Sequence, residues 1–398
     1  MVAGTGYSEF SSVSVAPDGS IYAAGLISKN GTYTFSSGVT ATGSCSSGDN
    51  LVIVKYDIHG IAQWAKSVST GSVDSRFFEV SVSSDGSVYA VGIISGTGTY
   101  TFGTGVTAAG TYNGGGYGYN CIIVKYDSSG AAQWAKTVTS GNNDSIYLSA
   151  FASPDGSIYA VGYLTGNGTY NFGNSITATG SGSNTNSIIV KYNDSGQAQW
   201  AQTINSGGFY SYFNGIYTCL DGSVYVTGNI QGIYTYGFGN GITATGTNGS
   251  TNSILIKYNS DGDAQWVSTI PIATGYNNSA FRDISVAPDG TVYIAGYIEG
   301  TGNYEFGNNV TASGMYGGIN MLIAKYSSSG IAQWANTVMV TDGTYSSQFN
   351  SLFVAADNSV YAAGFIGGTA LHDFGNNVTA AGTYSGNAAA SIVLAKYK

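Results

Sequence analysis

The chain has 398 residues, of which 60 are glycine and 13% are aromatic, so it carries too many large side chains to remain disordered. Only 8% of its residues are charged and the net charge is −9, which excludes the basic surface that nucleic acid or anionic lipid would require. No apolar run approaches the roughly 18 residues of a membrane helix, and the first residues lack the charged and apolar regions of a signal peptide.

The first residues of the chain have the pattern of β-strands separated by turns. Val13 and Val15 alternate with serines before the Asp-Gly turn at Asp18, which predicts a first strand. The segments "SIYAAGLI", "LVIVKYD" and "AQWAKSV" follow as a second, third and fourth strand. Nothing in this stretch has the period or the length of a helix. The sequence therefore predicts four consecutive antiparallel strands.

An additional segment, "GTYTFSSGVTATG" from Gly31, lies between the second and third strands. A Phe followed by small residues and then by Val-Thr-Ala predicts an added hairpin with a tight turn. Related segments occupy the same slot further along the chain. We therefore expect these hairpins to share one face or the rim of the fold, where repeat proteins often bind ligands.

The whole pattern recurs six times. The turn aspartate returns at intervals of 67, 70, 66, 68 and 68 residues. Its positions are Asp18, Asp85, Asp155, Asp221, Asp289 and Asp357. Within a single domain spanning 1–398, the approximate repeats are 1–67, 68–137, 138–203, 204–271, 272–339 and 340–398. This periodicity predicts an all-β fold, a β-propeller with six blades of about 68 residues, four strands per blade and an inserted hairpin in each.

The sixth repeat ends in "SIVLAKYK", so no Gln-Trp segment follows its third strand. We expect the last blade to lack its outer strand. Either that blade has three strands and still closes the ring, or the chain is a segment of a longer protein with further domains. We favour the segment, with the ring still closing at six. Side-chain size agrees with blades that widen outward, from serines in the first strand to Trp64 in the fourth.

The pattern "DGSVYAVG … IIVKYDSSGAAQWAKTV" of the second repeat resembles the bacterial family called the seven-bladed β-propeller repeat. The resemblance covers all six repeats and therefore nearly the whole chain. It implies a propeller fold and an exported or cell-surface protein. It implies no general catalytic residues.

The aromatic residues of the inserted hairpins are the candidate ligand-binding residues. Tyrosine among Gly, Asn and Ser is the composition of adaptable recognition surfaces. The candidates are Tyr33, Tyr100, Tyr170, Tyr236, Tyr304 and His372. His372 stands where the other repeats have tyrosine, so we expect it to pack rather than to catalyse a reaction.

Other conspicuous residues have structural interpretations. Packing between blades accounts better for the fourth-strand tryptophans than sugar stacking does. The recurrent lysine of "VKY", such as Lys125, should lie over its blade or pair with a neighbouring acid. Turn formation explains the recurrent aspartates better than calcium binding does. Cys121 and Cys219 occupy slots of small residues, whereas Cys45 lies in a loop where it could be oxidised. We predict no metal site and no cofactor.

Three functions are compatible with this sequence. The first is a non-catalytic extracellular or cell-surface recognition module, with glycans or surface proteins as partners at up to six similar sites acting together. The second is a structural spacer or coat component of a larger surface protein. The third is an enzyme at the propeller channel, which would require one blade to depart from the others with clustered acids or bases. The sequence shows only single substitutions such as His372, so we expect no enzyme.

Overall fold

The computed structural model describes residues 4, 6–71, 73–114, 118–271, 278–340, 346–383 and 390–397. In these residues the chain forms thirty-six β-strands and no α-helix, which confirms the predicted all-β class. None of this part of the chain forms a helix long and apolar enough to cross a membrane.

Every repeat contributes strands of the same length at the same places. The first strands are Ser8–Val15 (β1), Ser75–Val82 (β7), Ser145–Ala152 (β13), Ser211–Thr218 (β19), Ser279–Val286 (β25) and Ser347–Val354 (β32). The second strands are Ile21–Ser28 (β2), Val88–Ser95 (β8), Ile158–Thr165 (β14), Val224–Gln231 (β20), Val292–Glu299 (β26) and Val360–Gly367 (β33). The third strands are Asp49–Tyr56 (β5), Tyr119–Tyr126 (β11), Thr185–Tyr192 (β17), Thr251–Tyr258 (β23), Ile319–Tyr326 (β29) and Ala390–Tyr397 (β36). The fourth strands are Ala62–Ser67 (β6), Ala132–Thr137 (β12), Ala198–Thr203 (β18), Ala264–Thr269 (β24) and Ala332–Thr337 (β30).

These strands pair antiparallel in chain order, first with second, second with third and third with fourth. We number the sheets 1 to 6 after their repeats. Sheets 1 to 5 have four strands, and sheet 6 has three in the part of the chain that the structure describes. The first and fourth strands therefore lie at opposite edges of a sheet. The prediction of four strands per repeat, with the last repeat lacking its outer strand, is confirmed for the described residues.

Each inserted segment forms a two-stranded hairpin outside the main sheet of its repeat, as predicted. The hairpin strands are Thr32–Ser36 and Val39–Thr42 (β3, β4), Thr99–Gly103 and Val106–Ala109 (β9, β10), Thr169–Asn171 and Thr177–Thr179 (β15, β16), Thr235–Gly237 and Thr243–Thr245 (β21, β22), Asn303–Gly307 and Val310–Ser313 (β27, β28), and Leu371–Asp373 and Thr379–Ala381 (β34, β35). A short strand, Met339–Val340 (β31), adds to the last hairpin by pairing with β34.

A β-bulge in each first strand lies opposite a glycine of the second strand. In sheet 1 the register shifts between Phe10 and Ser12, where Phe10 lies opposite Gly25. A Cβ atom added to Gly25 would lie 2.0 Å from the carbonyl oxygen of Glu9. The glycine of "YAAG" and of its counterparts is therefore required by this close approach of two backbones.

The recurrent aspartates close the turns between first and second strands. In all six repeats an aspartate Oδ1 accepts a hydrogen bond of 2.9 Å from the backbone N–H two residues further on. The hydrogen bond from Ser223 N–H holds the pKa of Asp221 below its ordinary value. The predicted turn role of the aspartates is confirmed.

The chain divides into two compact units, Met1–Ile204 with sheets 1 to 3 and Asn205–Lys398 with sheets 4 to 6. Within each unit, consecutive sheets share a core of buried apolar side chains. In the first unit Leu51 of sheet 1 packs in one cluster with Val80 of sheet 2, and Ile123 of sheet 2 belongs to the cluster of sheet 3. The second unit repeats this arrangement. Alternate residues of a strand face opposite sides, so sheets 2 and 5, which have a neighbouring sheet on each side within their unit, are buried on both faces.

Candidate functional site

The six candidate ligand-binding residues lie in the interior of their repeats. Tyr33, Tyr100, Tyr170, Tyr236, Tyr304 and His372 are all 0% exposed. Each sits on the first strand of its hairpin, with its ring turned toward the main sheet of the repeat. A Cβ atom added to Gly71 would lie 2.6 Å from the ring of Tyr100, and Gly141 is as close to the ring of Tyr170. Glycine backbone therefore covers these rings.

The hydroxyl groups of the five tyrosines tie three segments of each repeat together. Each hydroxyl lies 2.7 to 2.9 Å from the carbonyl oxygen that ends the second strand. It also lies 3.0 to 3.3 Å from the carbonyl oxygen of the residue before the first strand. In the sixth repeat Nδ1 of His372 lies 3.1 Å from the carbonyl oxygen of Ala370. Burial raises the pKa of Tyr100 to about 12. In the structure these six side chains have no exposed surface that a ligand could contact. Ligand binding by them stays a prediction.

A buried asparagine at the start of each of the first five third strands is a residue that sequence reasoning missed. These asparagines are at most 1% exposed, and they are Asn50, Asn120, Asn186, Asn252 and Asn320. Oδ1 of Asn186 accepts hydrogen bonds from the backbone of Ser181 and Gly182, at 2.9 and 3.0 Å. Its Nδ2 donates to the carbonyl oxygens of Gly166 and Asn184, both at 2.9 Å. One side chain thus closes the loop that follows each hairpin.

The fourth-strand tryptophans hold the turn of the next repeat. Nε1 of Trp64 donates a hydrogen bond of 3.1 Å to the carbonyl oxygen of Ser128, and Lys55 Nζ donates to the same oxygen at 3.2 Å. Lys55 Nζ also lies 5.4 Å from the ring centroid of Tyr22. Trp134 makes the equivalent bond to Asp194, whose carboxylate forms an ion pair with Lys125. Packing between repeats is confirmed for these tryptophans, as is the prediction for the lysines.

We call a turn between the third and fourth strands docked where the tryptophan of the preceding repeat contacts it. One docked and one undocked turn allow a matched pair of substitutions. Gly130 has φ +82° and a Cβ atom there would lie 2.8 Å from the Trp64 ring, whereas Gly60 has φ +75° with nothing within 4 Å. Gly60→Ala should cost only the left-handed strain of about 1 kcal/mol. Gly130→Ala should lower the free energy of unfolding by about 2 kcal/mol more, because the methyl group displaces the turn from the indole. Urea denaturation of dilute protein checks this, and equal losses would contradict the docking.

The cysteines and the buried acid have structural surroundings. Cys45 is 2% exposed and its Sγ accepts a hydrogen bond of 3.2 Å from Gly48 N–H, so this loop thiol is shielded from solvent. Burial raises the pKa of Cys121 and of Cys219 to about 11. Burial also raises the pKa of Asp283. Its carboxylate accepts hydrogen bonds of 2.8 Å from Ser351 Oγ and from the backbone N–H of Leu352. No three His, Cys, Asp or Glu side chains of the described residues cluster closely enough to hold a metal ion.

An exposed cluster of aromatic side chains distinguishes the fourth repeat. We define the aromatic patch as Phe209, Tyr210, Tyr212 and Tyr234 together with Ile233. Phe209, Tyr234 and Ile233 are 37%, 49% and 67% exposed. The first two residues of the patch directly precede β19, Tyr212 lies within β19, and Tyr234 directly precedes β21. Three parts of the repeat thus bring rings to one surface.

The rings of the aromatic patch pack against one another. Phe209 lies 6.3 Å from Tyr234 at an interplanar angle of 28°, and 4.8 Å from Tyr210 at 87°. Tyr210 and Tyr212 are nearly parallel, at 10° and 6.3 Å. The carbonyl oxygen of Tyr210 accepts a hydrogen bond of 3.0 Å from Gln231 N–H. Offset and edge-to-face contacts of this kind between aromatic rings are favourable.

Among the described residues, the combination of rings in the patch occurs in one repeat. Where the fourth repeat has Tyr234, the others have Gly31, Gly98, Gly168, Gly302 and Ala370. Where it has Phe209, the first three repeats have Gly6, Val73 and Asn143, and the sixth has Tyr345, which lies outside the described residues. The packing of the repeat does not need these rings, because the neighbouring repeats form the same sheet and hairpin without them. A comparison of equivalent positions across repeats could have found this signal.

The patch lies in a segment that is nearly free of charge. Between Trp200 and Lys257 the sequence holds one charged residue, Asp221, in the turn after β19. The patch lies at the other end of β19, roughly 25 Å away at the rise of an extended strand.

No family model matches the chain, and no curated protein matches it. Among solved structures, a protein of unknown function from Dyadobacter fermentans is 11% identical, with 92% of this chain and 95% of that chain covered and a TM-score of 0.42. A polysaccharide lyase described as an ulvan lyase is 10% identical, with 93% and 84% covered and a TM-score of 0.43.

Proposed function

We propose that this protein is a non-catalytic carbohydrate-binding module that takes a neutral saccharide at the aromatic patch of the fourth repeat. In this proposal the six blade-like sheets form the scaffold of a protein that works outside the cell or at its surface. The observation that carries the proposal is the cluster of exposed, mutually packed rings that, among the described residues, occurs in the fourth repeat. The scaffold would then serve to present that surface.

The chemistry of the patch favours a saccharide. The apolar C–H face of a sugar ring packs on a flat aromatic ring, while its hydroxyl groups need donors and acceptors at the margin. Phe209 and Tyr234 are partly exposed, Gln231 lies three residues before Tyr234 and Asn205 lies four residues before Phe209. Because Asp221 is the one charged residue of the segment and lies far from the patch, a neutral sugar fits better than an anionic one.

The proposal is tested by substituting the patch with residues that the other repeats already use. The double variant Ile233→Thr/Tyr234→Gly has the residues of the second repeat at these positions, and Phe209→Asn has the residue of the third. A glycan array with the unmodified protein identifies a saccharide, and calorimetry measures its affinity. We expect each variant to weaken binding about tenfold or more, since each removes a stacking surface.

A matched control is Tyr7→Asp, because Tyr7 is 63% exposed outside the patch and the second and third repeats have aspartate there. This variant should bind the saccharide with unchanged affinity. Thermal denaturation of all variants should match that of the unmodified protein within a few degrees. An array without reproducible binding would overturn the proposed function, and binding that survives in both patch variants would overturn the proposed site.

A structural role is the second candidate function. It is favoured by the apolar faces of sheets 1 and 6, where Val13 is 63% exposed and Ile392 is 94% exposed. Side chains of this kind are buried at contacts between proteins. An assembly of repeated chains would also display many copies of the aromatic patch and so raise its avidity for a polymeric glycan.

A further inference from the structure

Sheet 1 exposes apolar side chains that its counterparts bury. We define the leading face as Phe10, Val13 and Val15, which are 38%, 63% and 63% exposed. In sheet 2 the counterpart of Phe10 is Phe77 at 0% and that of Val13 is Val80 at 2%, and both pack in the core shared with sheet 1. The leading face is thus the side of a sheet that normally receives the preceding sheet.

Sheet 6 exposes the complementary side. We define the trailing face as Phe353, Ile392 and Leu394, which are 64%, 94% and 69% exposed. The counterparts of the last two in sheet 1 are Leu51 and Ile53, both 0% exposed in the core shared with sheet 2. The trailing face is thus the side of a sheet that normally receives the following sheet.

Polar groups that join consecutive sheets occur on these two faces as well. The N–H of Met321 in sheet 5 donates a hydrogen bond of 3.2 Å to Oγ of Ser347, the first residue of β32. Leu51 and Ser75 make the same bond between sheets 1 and 2, at 3.1 Å. Ile392 N–H on sheet 6 holds the position of the donor, and Ser8 on sheet 1 holds the position of the acceptor.

The contact between the lysine of one sheet and the turn of the next sheet has one partner on sheet 6 and the other on sheet 1. Lys396 Nζ of sheet 6 lies 5.1 Å from the ring centroid of Tyr361, as Lys55 lies over Tyr22 in sheet 1. Gly60, in the turn of sheet 1 that corresponds to the docked turn of Gly130, has nothing within 4 Å of a Cβ position. Sheet 6 therefore has the lysine and tyrosine that contact a turn in the other repeats, and sheet 1 has a turn that nothing contacts at Gly60.

We propose that the trailing face of one copy of this chain packs against the leading face of a second copy, head to tail. The contact continues the interface that joins consecutive sheets inside each unit, with the same apolar layer, serine hydrogen bond and lysine contact. It is heterologous, because different surfaces of the two copies meet. Repetition of such a contact gives a ring or a filament of many chains.

Light scattering of the unmodified chain over a wide range of concentration tests this interface. We expect the mass to rise with concentration beyond that of one chain. Val13→Asp blocks the leading face and Leu394→Asp blocks the trailing face, so each variant alone should keep the mass of one chain. An equal mixture should form a two-chain species and nothing larger, since one good face of each kind remains.

Leu220→Asp is the matched control, because Leu220 is 91% exposed in the turn after β19, on neither face. This variant should assemble as the unmodified chain does. Circular dichroism shows that the variants are folded, which their exposed positions lead us to expect. The mass of a single chain at every concentration would overturn the proposal. A single-chain mass together with a lower melting temperature for Leu394→Asp than for Leu220→Asp would show that the trailing face is covered within the chain.

Discussion

Replacing Tyr170 by alanine should lower the free energy of unfolding by about 3 to 5 kcal/mol, the range for removing a buried aromatic ring. The ring is 0% exposed and packs against the backbone of Gly141. Its hydroxyl lies 2.7 Å from the carbonyl oxygen of Thr165 and 3.2 Å from that of Asp144. Alanine removes both the packing and the link between hairpin and sheet. Urea denaturation followed by tryptophan fluorescence measures the loss.

Tyr170→Phe is the control that separates the ring from the hydroxyl. It should cost about 1 kcal/mol, the net value of a typical hydrogen bond. Saccharide binding at the aromatic patch should be unchanged in the phenylalanine variant, because Tyr170 lies in another repeat. A Tyr170→Ala protein as stable as the unmodified one would contradict the structural role. A loss of binding in a stable Tyr170→Phe protein would restore the hairpin tyrosines as ligand contacts.

Replacing Asn186 by alanine should lower the free energy of unfolding by about 2 to 4 kcal/mol, because it leaves several buried backbone groups without partners. The side chain is 0% exposed and bonds to the backbone on both sides of the loop after the hairpin. The cost is large because a missing partner leaves the desolvated group unsatisfied. Urea denaturation gives the stability, and hydrogen exchange of Ser181 and Gly182 amides reports the local opening.

Asn167→Thr serves as the matched control in the same repeat. Asn167 is an exposed residue of the turn after the second strand, and the second repeat has Thr97 at this place. This substitution should change stability by less than about 0.5 kcal/mol. Similar losses in Asn167→Thr and Asn186→Ala would show that the buried amide has no special role.

The fold was predictable because the same sequence pattern recurs six times at a nearly constant interval. Asp18 and its counterparts fix the repeat length, and alternation around Val13 fixes the strand type. The strands and hairpins are local structures, so short patterns suffice to place them. The role of Asn186 was not predictable, because a single asparagine at the beginning of a strand has the pattern of an ordinary loop residue. Only the burial of its amide shows what it does.

The candidate site was harder to predict for a physical reason. A hairpin can present either side to its sheet, and sequence alone does not say which side. The sequence therefore predicts that Tyr170 and its counterparts contact a ligand, whereas the structure buries their side chains. The aromatic patch joins Phe209 to Tyr234, which are 25 residues apart. Its members come together only when β19 and the hairpin are in place.

Binding stoichiometry is the most direct test of the claim that one repeat carries the function. Six similar repeats with tyrosine-rich hairpins would give up to six sites per chain, whereas the aromatic patch occurs once among the described residues. Calorimetric titration with a short saccharide selected on the array measures this number directly. We predict one site per chain, abolished by Ile233→Thr/Tyr234→Gly. Several equivalent sites per chain would contradict the account.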